Sequence, residues 1–276
     1  MPIKNYRQNS LHDLVGIIPA AGTASRLGRL PCSKELLPVG FHKGRKGGQS
    51  QPKTIAHYLL ERMQTANVSK VYIILRKGKW DIPNYFGDGK MLDMSIAYLL
   101  MNMPFGVPYT IDQAYPFIKD AMVVFGFPDI IFQPKDAYVK LLNKQADTLA
   151  DIVLGIFPSD QSHKMDMVDF DEKGRVCGIQ IKPSHTDLRF AWIIAIWTPV
   201  FTNFMHESVV NDLALDLKTN AGGPTGKKQE LYTGDIIQKA INSNLSIECV
   251  HFSTGTCIDI GTPGDFVRAM KFAENN

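Results

Sequence analysis

The residues in this sequence that could do chemistry are a few cations and carboxylates set far apart along the chain. Arg26 closes a run of small residues, Ala20-Ala21-Gly22-Thr23-Ala24-Ser25, and Lys34 follows inside Ser33-Lys34-Glu35-Leu36-Leu37-Pro38. Small residues let backbone N–H groups approach an anion closely, and two cations can neutralise it, so this stretch reads as a cradle for a triphosphate. Asp129 comes just after the apolar run Met122-Val123-Val124-Phe125. A carboxylate there stands at the carboxyl end of a buried strand, where open α/β sheets bind ligands, or else it caps the helix or turn that follows. Asp259 sits between Ile258 and Ile260, so in a strand it points to the face opposite both. Lys182 ends the strand-like run Gly178 to Lys182, a place where a lone lysine is usually solvated. No two histidines show helical ligand spacing and no G-x-S-x-G elbow occurs, so neither a zinc site nor a hydrolase triad is supported. GGPTGKK (Gly222 to Lys228) lacks the final Ser/Thr and the spacing of a Walker loop.

The elements that must position these groups alternate in type. Short apolar runs at Val15 to Ile18, Val71 to Leu75, Ser95 to Leu99, Met122 to Phe125 and Ile152 to Phe157 read as buried strands. Helices are expected over Pro52 to Asn67, where Ile55, Tyr58, Leu59 and Met63 share one face, and over Pro134 to Ala146. Strands and helices joined by short links imply βαβ units and a mostly parallel sheet with right-handed crossovers. The basic, glycine-rich stretch Gly40 to Gln51 is expected to be a solvated loop or a flap near the nucleotide. Val168 to Val176 reads as two short strands around a turn, and Phe190 to Trp197 as a further strand. Pro199 to His206, much of Val209 to Lys218, Leu231 to Ser243 and Pro263 to Asn275 read as helices, with a strand at Leu245 to Phe252.

Composition narrows the class. The 276 residues are 45% hydrophobic and 21% charged, which is ordinary for a globular chain able to bury a large core. A net charge of only +3 gives no global case for nucleic acid or an acidic membrane surface. Cys32, Cys177, Cys249 and Cys257 show no C-x-x-C pairing and read as reduced. The beginning, MPIKNYRQNSLHD, has no apolar signal core and no apolar run reaches membrane-spanning length, so a cytoplasmic location is expected.

The small-residue loop with Arg26-Leu27, followed by Ser33-Lys34 and Leu37-Pro38, resembles the signature of the sugar-1-phosphate nucleotidyltransferases, especially the glucose-1-phosphate thymidylyltransferase and UTP–glucose-1-phosphate uridylyltransferase branches. Ala21 and Ala24 replace two family glycines, and Ser25 replaces the Thr before the Arg. The resemblance implies a Rossmann-like, doubly wound α/β fold forming one domain over residues 1–276, with an inserted β-rich region for the sugar. Roughly 14–130 would bind nucleotide, roughly 160–245 the acceptor, and 246–276 would supply the last strand and helix. It implies Arg26 and Lys34 as catalytic residues, with Ala20, Ala21, Gly22 and Thr23 at the phosphates. Asp129 and Asp259, the latter in a segment resembling Trp-x-Asp-x-Gly-Thr, would hold Mg2+, an ion suited by two carboxylates plus phosphate oxygens. Lys182, in a segment resembling Glu-Lys-Pro, would bind the sugar phosphate, and Glu230, in QELYTGDII, a sugar hydroxyl. Gly106, in Pro104-Phe105-Gly106-Val107-Pro108, and Gln113 resemble base-reading positions, leaving thymine, uracil and cytosine open.

Three departures bear on the acceptor. Ile181 stands at the family's Glu, Ile194 at its sugar-packing Gly, and Met101 at its base-reading Gln. The implied partners are a nucleoside triphosphate and a sugar-1-phosphate, not nucleic acid or membrane, with a homo-oligomer allowed. Two rival readings remain. One is a cytidylyltransferase acting on phosphocholine or another non-sugar phosphate, favoured by the lost Glu and by Trp192 and Trp197, which could cage a trimethylammonium group, although one of the two could equally belong to the core of the strand Phe190 to Trp197. The other is a non-catalytic, nucleotide-binding regulatory protein.

Overall fold

The computed structural model describes residues 13–44, 48–102, 105–219 and 230–274. The first apolar run becomes β1 (Leu14–Pro19) at the heart of the sheet. The Gly40 to Gln51 stretch, expected as a loop, is instead most of an antiparallel hairpin, β2 (Pro38–Gly44) and β3 (Gly48–Thr54), in which His42 faces Gln51. Main-chain pairing supplies the order that its polar side chains do not advertise; residues 45–47 lie outside the description. Then follow α1 (Ile55–Thr65), β4 (Lys70–Arg76), α2 (Asp81–Phe86), β5 (Ser95–Met101) and two short helices, α3 (Val107–Asp112) and α4 (Tyr115–Ile118). After β6 (Met122–Gly126) comes β7 (Ile130–Gln133), then α5 (Ala137–Thr148), β8 (Ile152–Pro158), β9 (Met167–Phe170), β10 (Val176–Gln180) and β11 (Phe190–Trp197). The chain continues through α6 (Pro199–Thr219), α7 (Thr233–Asn242), β12 (Ile247–His251), β13 (Thr256–Asp259) and α8 (Pro263–Glu274). The two helical stretches read from Pro199 to Lys218 are one helix; Pro104, Gly222 to Lys228 and Asn275 lie outside the described residues.

The main sheet runs β10-β9-β11-β6-β1-β4-β5, with β8 also pairing β11, and β12 pairing β8. β1 lies parallel to both β4 and β6, β4 to β5, and β8 to β12, while β11 is antiparallel to β6, β8 and β9. The fold is thus a Rossmann-like α/β layer structure whose parallel half passes, through the reversed strand β11, into a β-rich region. Apolar side chains fill both faces. Leu59, Leu60 and Met63 of α1 and Tyr138 and Leu141 of α5 pack on one side; Phe201 and Met205 of α6 and Ile236 and Ile237 of α7 pack on the other. Gly16 permits the first contact: a Cβ there would lie 2.9 Å from Val71 Cγ2 and 3.0 Å from Met63 Sδ. A third, smaller cluster seats α8, through Ala269, against Leu37, Val39, Tyr58 and Ile260. Among the described residues no helix is long and apolar enough to cross a membrane.

Candidate active site

β1 ends at the small-residue loop. Ala20 and Ala21 are buried there, and the Ala20 N–H donates to the Ile74 carbonyl at 2.8 Å, so this amide completes the β1–β4 edge instead of facing an anion. Gly22, Thr23 and Ala24 line a cavity of ≈ 350 Å³ with Ser33, Lys34, Arg76 and Lys79. Ala24 holds a left-handed backbone, φ 55° and ψ 27°, which normally suits glycine.

The Ser33-Lys34-Glu35 triplet is held from three directions. The Ser33 N–H and hydroxyl donate to the two carboxylate oxygens of Asp81, at 2.6 and 2.8 Å. Lys34 pairs with Asp129, and Glu35 accepts from Lys79 at 2.6 Å, a pair almost wholly shut off from solvent. Burial opposes the Lys34 charge, but Asp129, Glu35 and Asp259 around it raise its pKa above the ordinary lysine value. Burial lifts the Glu35 carboxyl above its usual range, against the pull of Lys79.

Pairing of β7 with β13 sets Ile130 opposite Asp259, and the Ile260 N–H donates to the Asp129 carbonyl at 3.0 Å. That register explains why Asp129 and Asp259 meet, and it shows that the element after Asp129 is a strand, not a helix needing a cap. Burial, then the neighbouring Asp129, pushes the Asp259 pKa up to about 6, with Lys34 and Arg26 pulling it back. Arg26 is exposed and lies over Gly261, where a Cβ would sit 3.0 Å from its Nη2. Cys257, beside the carboxylates, packs against the core, and burial pushes its thiol up to about 12.

Arg26, Asp129 and Asp259 line a second cavity of ≈ 320 Å³, tied to the first by the Lys34–Asp129 pair, and its wall includes Lys182, Glu230, Asp166, Trp192 and Tyr232. Lys182 carries its own left-handed backbone, φ 42°, and its Nζ lies 3.8 Å from the centroid of the Tyr232 ring. Glu230 is exposed at the rim. Asp235 accepts from the Tyr232 N–H at 2.9 Å and so caps α7. Gly106 packs its φ 125° backbone against Leu231, whose carbonyl any Cβ would overlap. Gln113 falls elsewhere: it is exposed beyond α3, and its amide donates to the Tyr109 carbonyl of its own helix at 3.4 Å.

Two expectations for this wall need correction. Ile194 does not face the cavity; a bulge after Trp192 turns it into the core, where it occupies the space a Cβ on Gly155 would need, and Trp192 and Ile193 line the cavity instead. Trp197 is buried with its Nε1–H donating to Thr202 Oγ1 at 3.0 Å, so it cannot share an aromatic cage with Trp192. Sequence reasoning missed Asp166, Lys164 and Tyr232 on the cavity wall and the Glu35–Lys79 pair. The cluster Arg76-Lys77-Gly78-Lys79 at the carboxyl end of β4 was a usable signal for the last; nothing in Lys164-Met165-Asp166-Met167 marks Asp166.

Among the described residues no group of three or more His, Cys, Asp or Glu side chains could hold a metal ion unaided. Asp129 and Asp259 offer two close carboxylates, which fits a hard cation that takes its remaining ligands from phosphate and water.

Comparison with known proteins agrees with this architecture. A family model described as nucleotidyl transferase matches residues 15–276. A low-salt glycan biosynthesis nucleotidyltransferase of Haloferax volcanii is 26% identical over 93% of this chain and 65% of its own length. A glucose-1-phosphate thymidylyltransferase of Streptomyces antibioticus is 26% identical over 57% of this chain and 43% of its own. This chain therefore spans less than two thirds of the length of either relative. The fold matches a crystal structure, in complex with a sucrose, of a Bacillus anthracis protein named as a candidate glucose-1-phosphate thymidylyltransferase, with TM-score 0.75, 19% identity and coverage of 95% and 96% of the two chains.

Proposed function

The chain belongs to the nucleotidyl transferase family, and from that premise we propose that it joins a nucleoside triphosphate to a sugar-1-phosphate, with Mg2+, to give a nucleotide sugar and pyrophosphate. The observation that carries this reading is the meeting of Arg26, Lys34, Asp129 and Asp259, brought from four separate segments to the junction of two cavities. The names of the relatives support a sugar phosphate as the acceptor.

In the reaction, a phosphate oxygen of the sugar-1-phosphate forms a bond to the α-phosphorus, and the bond from that phosphorus to the bridging oxygen of the pyrophosphate breaks in line. The attacking phosphate is already ionised at neutral pH, so positioning and charge neutralisation carry the catalysis and no strong base is required. Arg26 and the N–H groups around Gly22 and Thr23 bind the β- and γ-phosphates. Lys34, kept protonated by its acidic neighbours, meets the α-phosphate and the charge that develops on it. Lys182 binds the acceptor phosphate, and Glu230 at the rim takes a hydroxyl. The segment around Gly106 borders the base. Asp129 and Asp259 are the residues that would hold Mg2+, which supplies charge neutralisation at the phosphates when bound.

The second reading, phosphocholine as acceptor, is favoured by Trp192, Phe127 and Tyr232 on the cavity wall and by the lost Glu at Ile181. Pyrophosphate release across a panel of triphosphates, each offered hexose 1-phosphates and phosphocholine, separates the readings. Release with a hexose 1-phosphate is expected. Release with phosphocholine alone would transfer the assignment, and tight triphosphate binding without turnover would favour a sensor. Asp129→Ala and Asp259→Ala should each lower release by about 100-fold or more with the fold intact by circular dichroism; substantial activity in either would sink the metal assignment.

A further inference from the structure

Asp166 is a carboxylate that the reading above leaves without a task. It lies just before β9 on the wall of the second cavity, between Lys182, Trp192 and the start of α7. The space it occupies exists only because residue 234 is glycine: a Cβ there would lie 2.5 Å from Asp166 Oδ2 and 3.0 Å from its Cγ. Its Oδ1 is buried and closes no hydrogen bond, and the Nε1–H of Trp192, in a side chain only 5% exposed, turns towards the carboxylate without closing one of ordinary geometry. Burying polar groups unpaired costs free energy, so two on one cavity wall mark a place where a ligand group completes the bonding. Burial raises the Asp166 carboxyl above its usual range; the nearby Lys182 charge, the approach of the Trp192 indole N–H and the Lys182 main-chain N–H pull it back. Ile181, next in the chain to Lys182, gives no such contact, because it packs against the start of α7, 3.2 Å from where a Gly234 Cβ would be.

We propose that Asp166 determines acceptor specificity by accepting a hydrogen bond from one hydroxyl of the phosphorylated acceptor, with Trp192 Nε1–H as the complementary donor to the same oxygen. The inference rests on the reading of this cavity as the acceptor site. An alcohol both donates and accepts, so one hydroxyl can bridge the carboxylate and the indole N–H. A trimethylammonium group would be drawn to the carboxylate charge, but it has no N–H to give and no lone pair to offer, so it would leave the Trp192 N–H unpaired. The pair therefore favours an acceptor that places a hydroxyl here.

The test is calorimetric titration of the full chain with a hexose 1-phosphate, its monodeoxy analogues and phosphocholine, for the wild type, Asp166→Ala and Asp166→Asn. Pyrophosphate release is scored separately. One deoxy analogue should bind the wild type about 10-fold or more weakly than its parent, a loss expected for one hydrogen bond to a charged group. In Asp166→Ala the parent and that analogue should bind equally within about 2-fold. A merely structural role would weaken all ligands alike and keep the difference. Should Asp166→Ala fold poorly, Gly234→Ala, which displaces the carboxylate without removing it, should level the same pair. The proposal is overturned if every deoxy penalty survives in these variants, if phosphocholine binds and the hexose phosphate does not, or if no hexose phosphate binds. Asp166-dependent binding without pyrophosphate release would overturn the catalytic reading and leave this one standing. Release with unchanged discrimination would do the reverse.

Discussion

Ala24 shows what a single methyl group costs in the small-residue loop after β1. A left-handed alanine costs roughly 1 kcal/mol in the folded chain, while glycine at the same place gives back about 0.5–1 kcal/mol through a freer unfolded chain. The two nearly cancel, so Ala24→Gly should leave the thermal midpoint unchanged or slightly raised. Ala24→Val, with a branched side chain at φ 55°, should lower it by about 2 °C or more. A clear fall for glycine, or none for valine, would contradict the left-handed geometry. At this scale the sequence was informative where charge stood against expectation. Arg26, Lys34, Asp129, Asp259 and Lys182 stood out because each falls on a motif of the resemblance; by local pattern alone Asp129 read as readily as a cap and Lys182 as a solvated strand end. Asp166 could not, since what makes it matter is the missing side chain of Gly234, sixty-odd positions along the chain.

At the scale of elements, the hairpin β2–β3 and helix α1 bury a group whose protonation the fold resists. His57 on α1 is almost wholly enclosed, with its ring centroid 4.5 Å from that of His42 on β2 and its Nε2 3.6 Å from Glu61. Burial first, and then His42 and Lys53, lower its pKa to about 4, outweighing the pull of Glu61. The sign follows from the neutral form being favoured in the fold. His57's contribution is complete above its unfolded pKa of about 6.5 and is lost as pH falls towards 4, to a limit of about 3 kcal/mol. Urea unfolding followed from pH 7 to pH 4 should show this loss, and His57→Gln should lose less by about that amount; parallel curves for the two proteins would refute it. The same hairpin marks the limit of reading elements from side-chain pattern. Val15 to Ile18 and Met122 to Phe125 announce buried strands because both their faces are covered. Gly40 to Gln51 pairs through its backbone while carrying glycine, lysine and glutamine, which give no period-two alternation of apolar residues.

For the molecule as a whole, alternating strands and helices were enough to indicate a mostly parallel α/β sheet, which the resemblance narrowed to a Rossmann-like layer fold. They could not give the order of strands across the sheet. β11 illustrates why: its continuous apolar sequence, Phe190 to Trp197, fits a buried strand of either direction. Only its pairing with β6, β8 and β9 makes it the reversed strand that joins the parallel half of the sheet to the β-rich half. The bulge within it also decides which of Ile193 and Ile194 meets the cavity, a one-residue slip that no periodicity can register.

The bond between Lys34 and Asp129 has a thermodynamic consequence for what binds at this junction. An anion that claims the lysine strands the carboxylate, and a divalent ion that claims the carboxylate strands the lysine. Each visitor alone meets a lock that only both together open without loss. On the proposed function, triphosphate and Mg2+ should therefore be heterotropic partners, each tightening the other by an identical factor of about 5-fold or more. Titrating triphosphate with and without Mg2+, and the converse, reads that factor, and independent binding would show the lock to be idle. Such an arrangement filters the surroundings too. Inorganic phosphate, carrying too little charge to recruit the ion, gains little by breaking the pair, so a lysine already engaged discriminates against bulk anions where a free one would simply collect them.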